Sequence, residues 1–385
     1  MAANGRRDPI GRTVTKVGLG TIAREWGRIG CIGFGGPPAH ISLLRDLCVT
    51  RRKWLDEAEF EHGIAATNLL PGPASTQLAI LCAWRLRGTA GALVGGFCFI
   101  VPGLVVILAL AALFLAADPP AWVTGAAAGA GAAVPAVALH AAWGLVPGSW
   151  KRVTERAGRL RWVAYLVAGA VAAAVTGPWL VLVLLVAGLV EVSVHAPSGR
   201  RSWPVVLALP ATGGGLLGVA WVATKVGALS YGGGFVIIPL MQRDAVHTYG
   251  WMTDAQFLNA VALGQITPGP VVQTVAVVGY AAAGLVGGLL ASVVAFAPSF
   301  LFVIFGGPKL ERLRDNRKAQ AFLTGAGAAA IGAIGGSTLP LALSLHEPWQ
   351  FAVLGGAVLW LLVLRRGVVS ALLVAGVAGA LISLL

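Results

Sequence analysis

Apolar positions along this chain run in blocks too long for the stripe of a surface helix, and the polar stretches between them are short. The blocks fall at about 17–42, 62–84, 90–116, 121–147, 160–176 and 178–194, then at 204–223, and the series begins again from 225 onward. Runs such as Gly91 to Ala117 and Pro204 to Ala223 reach the roughly 20 apolar residues that a bilayer core requires. A single such run suits a buried core helix, but a whole series does not. The pattern therefore predicts an all-α integral membrane protein of about thirteen segments. Within each set of six, the first two segments are short and spotted with polar residues, and the last four are plain.

The series begins again because the chain repeats itself. Shifted by 197 positions, Gly35-Gly36 falls on Gly232-Gly233, Trp54 on Trp251, Phe60 on Phe257 and Pro71-Gly72-Pro73 on Pro268-Gly269-Pro270. Residues 28–73 give 13 identities in 46 positions, where unrelated sequence gives roughly 3. The division expected is a first repeat at 1–195, a connecting transmembrane segment at 196–224 and a second repeat at 225–385. An even number of segments per half plus one connector sets the second half upside down, so the two repeats are expected to have inverted topology.

The most informative stretch occurs twice, as IAATNLLPGPASTQLAI (64–80) and VALGQITPGPVVQTVAV (261–277). Pro-Gly-Pro breaks a helix, because proline supplies no N–H and pushes the preceding residue out of the α region. At membrane depth such a break is tolerated where it lines a cavity, and paired breaks in two repeats point to a transport site. Ahead of each break stands a glycine motif, RIGCIGFGGPP (28–38) and KVGALSYGGGF (225–235), which opens with a cation. Glycines let backbone N–H groups crowd around an anion. The expected substrate-binding set is Gly35, Gly36, Gly232, Gly233 and Gly234 as backbone donors; Asn68, Gln265, Thr76, Gln77, Thr267, Gln273 and Thr274 as side-chain donors; Arg28 and Lys225 as charges; and the breaks at Pro71, Gly72, Pro73, Pro268, Gly269 and Pro270. The plainer alternative is that the glycines only permit close helix packing and the two cations snorkel to an interface.

Charge refines the topology. With the N-terminus placed inside, 22 of the 28 Lys and Arg residues fall on the cytoplasmic side. One loop resists: Arg45, Arg51, Arg52 and Lys53, among five carboxylates, lie outside if the first two segments both cross. If those segments are instead re-entrant hairpins, the loop returns inside. The choice is then between thirteen crossings and nine crossings with two hairpin pairs, and the sequence leaves it open. The net charge of +13 sits in short loops of a chain with mean hydropathy +0.82, so it reports topology and no nucleic-acid partner is expected. The N-terminus lacks a clean apolar core and a small-residue cleavage site, so no signal peptide is expected. Cys31, Cys48, Cys82 and Cys98 have no metal-ligand spacing, and no metal or cofactor is expected. His140 and Glu191 are weaker proton-relay candidates, read first as packing or loop residues.

These residues carry a family resemblance. FGGP, a Lys-Trp-Leu and acidic stretch some seventeen residues later, PGPxxTQLA, and the second copy YGGG, Trp, QITPGP resemble the chromate ion transporters in their long-chain, two-domain form. The resemblance spans nearly the whole chain. It implies export of chromate, with sulfate as the isosteric oxyanion, across a bacterial inner membrane and driven by the proton gradient. Ala74 and Val271 follow the Pro-Gly-Pro turns where many members carry a carboxylate. The partners expected are the oxyanion and membrane lipid, with a homodimer as the protein partner considered. Two other classes stay open: a passive anion channel, and a membrane enzyme clamping a lipid phosphate with Arg28 and Lys225. No nucleophile, base and orienter set accompanies the glycines, which disfavours the enzyme.

Overall fold

The computed structural model describes residues 17–68, 70–176, 180–195, 214–230, 235–306 and 316–385. Among them the chain is helical, in two series of seven. The first is α1 (Leu19–Ile32), α2 (Pro37–Arg45), α3 (Glu57–Thr67), α4 (Ala74–Phe114), α5 (Ala121–Trp150), α6 (Arg156–Val171) and α7 (Leu180–His195). The second is α8 (Gly215–Leu229), α9 (Ile238–Gln242), α10 (Asp254–Ile266), α11 (Thr274–Gly306), α12 (Arg317–Leu343), α13 (Pro348–Val358) and α14 (Val368–Ile382). The expected connecting segment at 204–223 is cut by this division. Its described residues, from 214, belong to the start of α8, the counterpart of α1; residues 204–213 lie outside the described residues.

Length separates hairpins from crossings. α4 has 41 residues, about 61 Å at 1.5 Å per residue and twice the roughly 30 Å bilayer core. It is broken at Arg87 and Gly88, where Gly88 takes φ 62°, and α11 breaks at the equivalent Ala283 and Gly284, φ 60°. Past each break the chain doubles back: Gly91 and Gly95 pack on Ala83, and Gly279 packs on Gly287. The first arms, 74–86 and 274–282, also fold against the helices that precede them. The Arg85 guanidinium donates to the Glu59 carbonyl, and Gly63 faces Leu78 and Leu81. α3 and the first arm of α4 are thus an antiparallel hairpin with Pro71-Gly72-Pro73 at its tip. α1 and α2 form another, with Gly33 to Gly36 at the tip. Its open end is tied by an ion pair from Arg52 to the buried Glu25 at 2.6 Å and by Trp26 stacked on Trp54 at 6.4 Å.

The segments expected at 17–42 and 62–84 therefore fold back as hairpins, and the basic loop 45–53 returns to α1 at Glu25 and Trp26. This folding-back is what the nine-crossing alternative requires of the first half. The sequence prepares these hairpins locally. Asp56 with Glu59 and Thr253 with Gln256 form reciprocal capping boxes at the starts of α3 and α10, at repeat-equivalent positions.

Five described helices are long and apolar enough to cross a membrane. The two halves interlace through them. α5 packs on α14, Gly125 and Gly129 against the Gly379 and Ala375 carbonyls, while α12 packs on α6 and α7, Gly332 and Gly336 against the Leu166 and Ala170 carbonyls. In lipid no hydrophobic effect draws helices together, so close backbone approach at small residues carries the packing. The glycine and alanine runs at 123–133 and 323–333 supply it. The second arms of α4 and α11 run antiparallel, with Gly96 against Phe300 and Gly288 against Leu108.

Candidate functional site

The hairpin tips meet at the centre, each held by helices of the other half. The Gly269 N–H donates to the Gly33 carbonyl at 2.9 Å, and Gly36 faces Val271. The Pro268 carbonyl fills the space beside Gly103 of α4. In the opposite sense, Gly72 packs against Ser299 of α11 and the Gly227 carbonyl of α8. Gly30 and Gly227 are repeat equivalents and rest on equivalent carbonyls, those of Phe99 and Ala295. The tips depend on glycine conformation: Gly35, Gly36, Gly72 and Gly269 have φ of 96°, 73°, 122° and 97°, where a β-carbon is strained.

The polar side chains here are buried, and several lack partners. Gln77 donates its amide to the Pro71 carbonyl at 2.7 Å, and Gln273 donates to the Ile100 carbonyl at 2.7 Å. Both are fully buried, and in both Oε1 has no partner. The Thr76, Ser230 and Ser299 hydroxyls and the Gln265 amide nitrogen are buried without partners as well. A buried polar atom left unpaired costs about 1–3 kcal/mol, so each of these atoms beside the paired motifs calls for a partner other than the described side chains. The helices that start at the tips, α2 after Gly36 and α4 after Pro73, have no side-chain cap. α4 therefore leaves its first N–H groups and positive dipole end at the Pro73 tip, whereas α2 opens on Pro37 and Pro38, which carry no N–H.

Other expected residues stand differently. Thr267 and Thr274 spend their hydroxyl protons on the Leu263 and Val271 carbonyls, so as donors they are engaged. Asn68 is exposed at the end of α3. Arg28 is exposed on α1, one turn before the Gly33 tip. Lys225 does not present a free charge: it is ion-paired with Asp244 and lies over the Trp221 ring at 5.5 Å. Gly232, Gly233 and Gly234 lie outside the described residues.

One residue at the centre escaped the sequence reading. His40 is fully buried, with Nε2 2.9 Å from the Gly33 carbonyl and Nδ1 3.2 Å from Ser75 Oγ. The carbonyl requires a donor, so the hydrogen sits on Nε2 and Ser75 donates to Nδ1. The Gly33 carbonyl then accepts from His40 and from Gly269 together, which joins both hairpins of the first half to the Pro-Gly-Pro tip of the second. The signal available was position, since His40 follows directly on GFGGPPA.

The comparisons with known proteins fit this geometry. The family model described as chromate transporter matches twice, over residues 20–192 and 217–382, starting in α1 and in α8. A chromate transport protein of Cupriavidus metallidurans is 33% identical over 328 residues, 82% of this chain and 80% of its own. One from Pseudomonas aeruginosa is 30% identical over 384 residues, 92% and 90% of the two chains. A probable chromate transport protein of Synechococcus elongatus is 31% identical over 341 residues, 85% of each. No solved structure matches the chain.

Proposed function

Because the chain belongs to the chromate transporter family, and so is a multi-pass membrane transport protein and not an enzyme, we propose that it is a secondary transporter. In this reading it exports chromate, and sulfate-like oxyanions of the same shape, across a bacterial plasma membrane. The observation that carries the reading is the set of buried, unpartnered hydroxyl and amide donors on Thr76, Ser230, Gln265 and Ser299, beside the paired tip motifs of the two repeats. A tetrahedral oxyanion takes up hydroxyl and amide donors and the amide end of α4. Arg28, exposed beside the Gly33 tip, draws the anion toward the site, whereas the Lys225 charge is already met by Asp244.

The two repeats have inverted topology in this proposal, which the antiparallel run of the equivalent second arms of α4 and α11 supports. Inversion lets one central site open alternately to either side as hairpins of one half move against helices of the other. Thr76, Gln77 and Gln273 are buried while Phe34 and Gly35 at the first tip are exposed, so in this proposal movement of the tips opens the way to the buried polar groups. Coupling to the proton gradient belongs to the same proposal. With Ala74 and Val271 after the Pro-Gly-Pro turns, His40 is, among the described residues, a titratable side chain in contact with a tip.

The test is counterflow in proteoliposomes preloaded with unlabelled chromate, using labelled chromate and sulfate, with and without a pH gradient. Saturable chromate exchange that responds to the gradient is expected. Electrogenic flux indifferent to the gradient identifies a passive channel, and no saturable exchange of either anion overturns the reading.

A further inference from the structure

The unpartnered atoms at the tips are not all donors. Gln77 and Gln273 stand four and three residues after the two Pro-Gly-Pro turns, and each is oriented by donating to a backbone carbonyl at 2.7 Å. Swapping either amide would set two oxygens against each other, so the orientation is fixed and Oε1 is left as a buried acceptor. A fully deprotonated oxyanion offers only acceptors, so it leaves that oxygen unpaired and opposes its dipole.

The repeat distinguishes the two glutamines. Beside Gly72, where the Gln77 amide lies, stands the Ser299 hydroxyl, itself without a partner. The residue equivalent to Ser299 in the first half is Gly103, which lies against Gln273 and brings no hydroxyl. Among the described residues no donor meets Gln273 Oε1, and Gly103 of the neighbouring half offers it none. Lys225, one of the two cations expected to balance a dianion, is neutralised by Asp244.

We propose that the site takes its oxyanion in the monoprotonated form, a tetrahedral monoanion with one O–H, which donates to Gln273 Oε1. This rests on the transport reading above and narrows it. Chromate gains its first proton close to neutral pH, whereas sulfate does so only in strong acid. A site that requires the O–H therefore separates two anions that differ little in shape.

The experiment uses three sulfate-sized probes whose protonation is fixed near neutral pH: sulfate, a dianion; fluorosulfate, a monoanion with no donor; and sulfamate, a monoanion carrying N–H donors. Each competes against chromate counterflow, and each is titrated calorimetrically against the detergent-purified chain. Sulfamate is expected to act at about tenfold lower concentration than either of the others. Gln273→Met should erase its advantage over fluorosulfate, and Gln77→Met should leave most of it. Sulfate matching or exceeding sulfamate overturns the proposal, as does fluorosulfate equal to sulfamate. Binding that keeps the expected order with no counterflow sinks the transport reading and leaves this one standing.

Discussion

Replacing Gly72 with alanine should harm the protein more than the same change at its counterpart Gly269, although the sequence treats the two as equals. Both have positive φ, 122° and 97°, and strain of that kind costs roughly 1–3 kcal/mol. At Gly269 little else happens, because the atom nearest to a new β-carbon is Gln273 Oε1 at 3.4 Å. At Gly72 the β-carbon would lie 2.6 Å from Gln77 Nε2, with Ser299 Oγ at 3.2 Å and the Gly227 carbonyl at 3.3 Å. The Gln77 amide must then leave the Pro71 carbonyl, and a buried amide without its partner adds about 1–3 kcal/mol. The sum for Gly72→Ala is about 2–6 kcal/mol. Gly144 in α5 has nothing within 4 Å, so Gly144→Ala serves as a control that gains about 0.5–1 kcal/mol of helix propensity. Graded heating of the detergent-solubilised variants, followed by size exclusion, reads the order directly. If Gly72→Ala survives as well as Gly269→Ala, or as well as the control, the Gln77 clasp is not what holds the tip.

His40→Ala should cost about 2–5 kcal/mol through the cavity and the lost bond to Gly33, and abolish counterflow; unchanged melting would show that the tip holds without it. Lys225→Gln and Asp244→Asn should each lower the melting temperature more than the double variant does, since each single change leaves a half-buried charge alone; additive losses would refute the pairing. Single cysteines at Asp46 and Gly88 should react with an impermeant thiol reagent from the same side of the membrane, as hairpins require, and opposite sides would restore full crossings.

Much of this was legible beforehand, and what was missed has physical causes. The doubled motif placed both tips, and the plain segments expected at 90–116, 121–147, 160–176 and 178–194 lie on the second arm of α4 and on α5, α6 and α7. Hairpin and crossing stayed undecided because two short apolar arms and one long apolar span have the same composition. Only the contacts of Glu25 with Arg52 and of Glu59 with Arg85 separate them. Lys225 looked like a free cation because its partner Asp244 stands 19 positions on, at a residue where the first repeat has Leu47. The acceptor role of Gln77 and Gln273 was hidden for a related reason. An amide can donate or accept, and only the carbonyls of Pro71 and Ile100 settle which end is spent.

The interlacing of the halves bears on how such a chain can be assembled at all. α5 leaves the ribosome early, but the groove of Gly125 and Gly129 that it presents is filled by α14, the last described helix. Until more than half the chain has followed, that groove must face lipid or the insertion machinery, and contacts so distant in sequence form late. Closure of that groove therefore waits on α14, so loss of α14 should strand the early helices in an open state that a membrane protease can recognise.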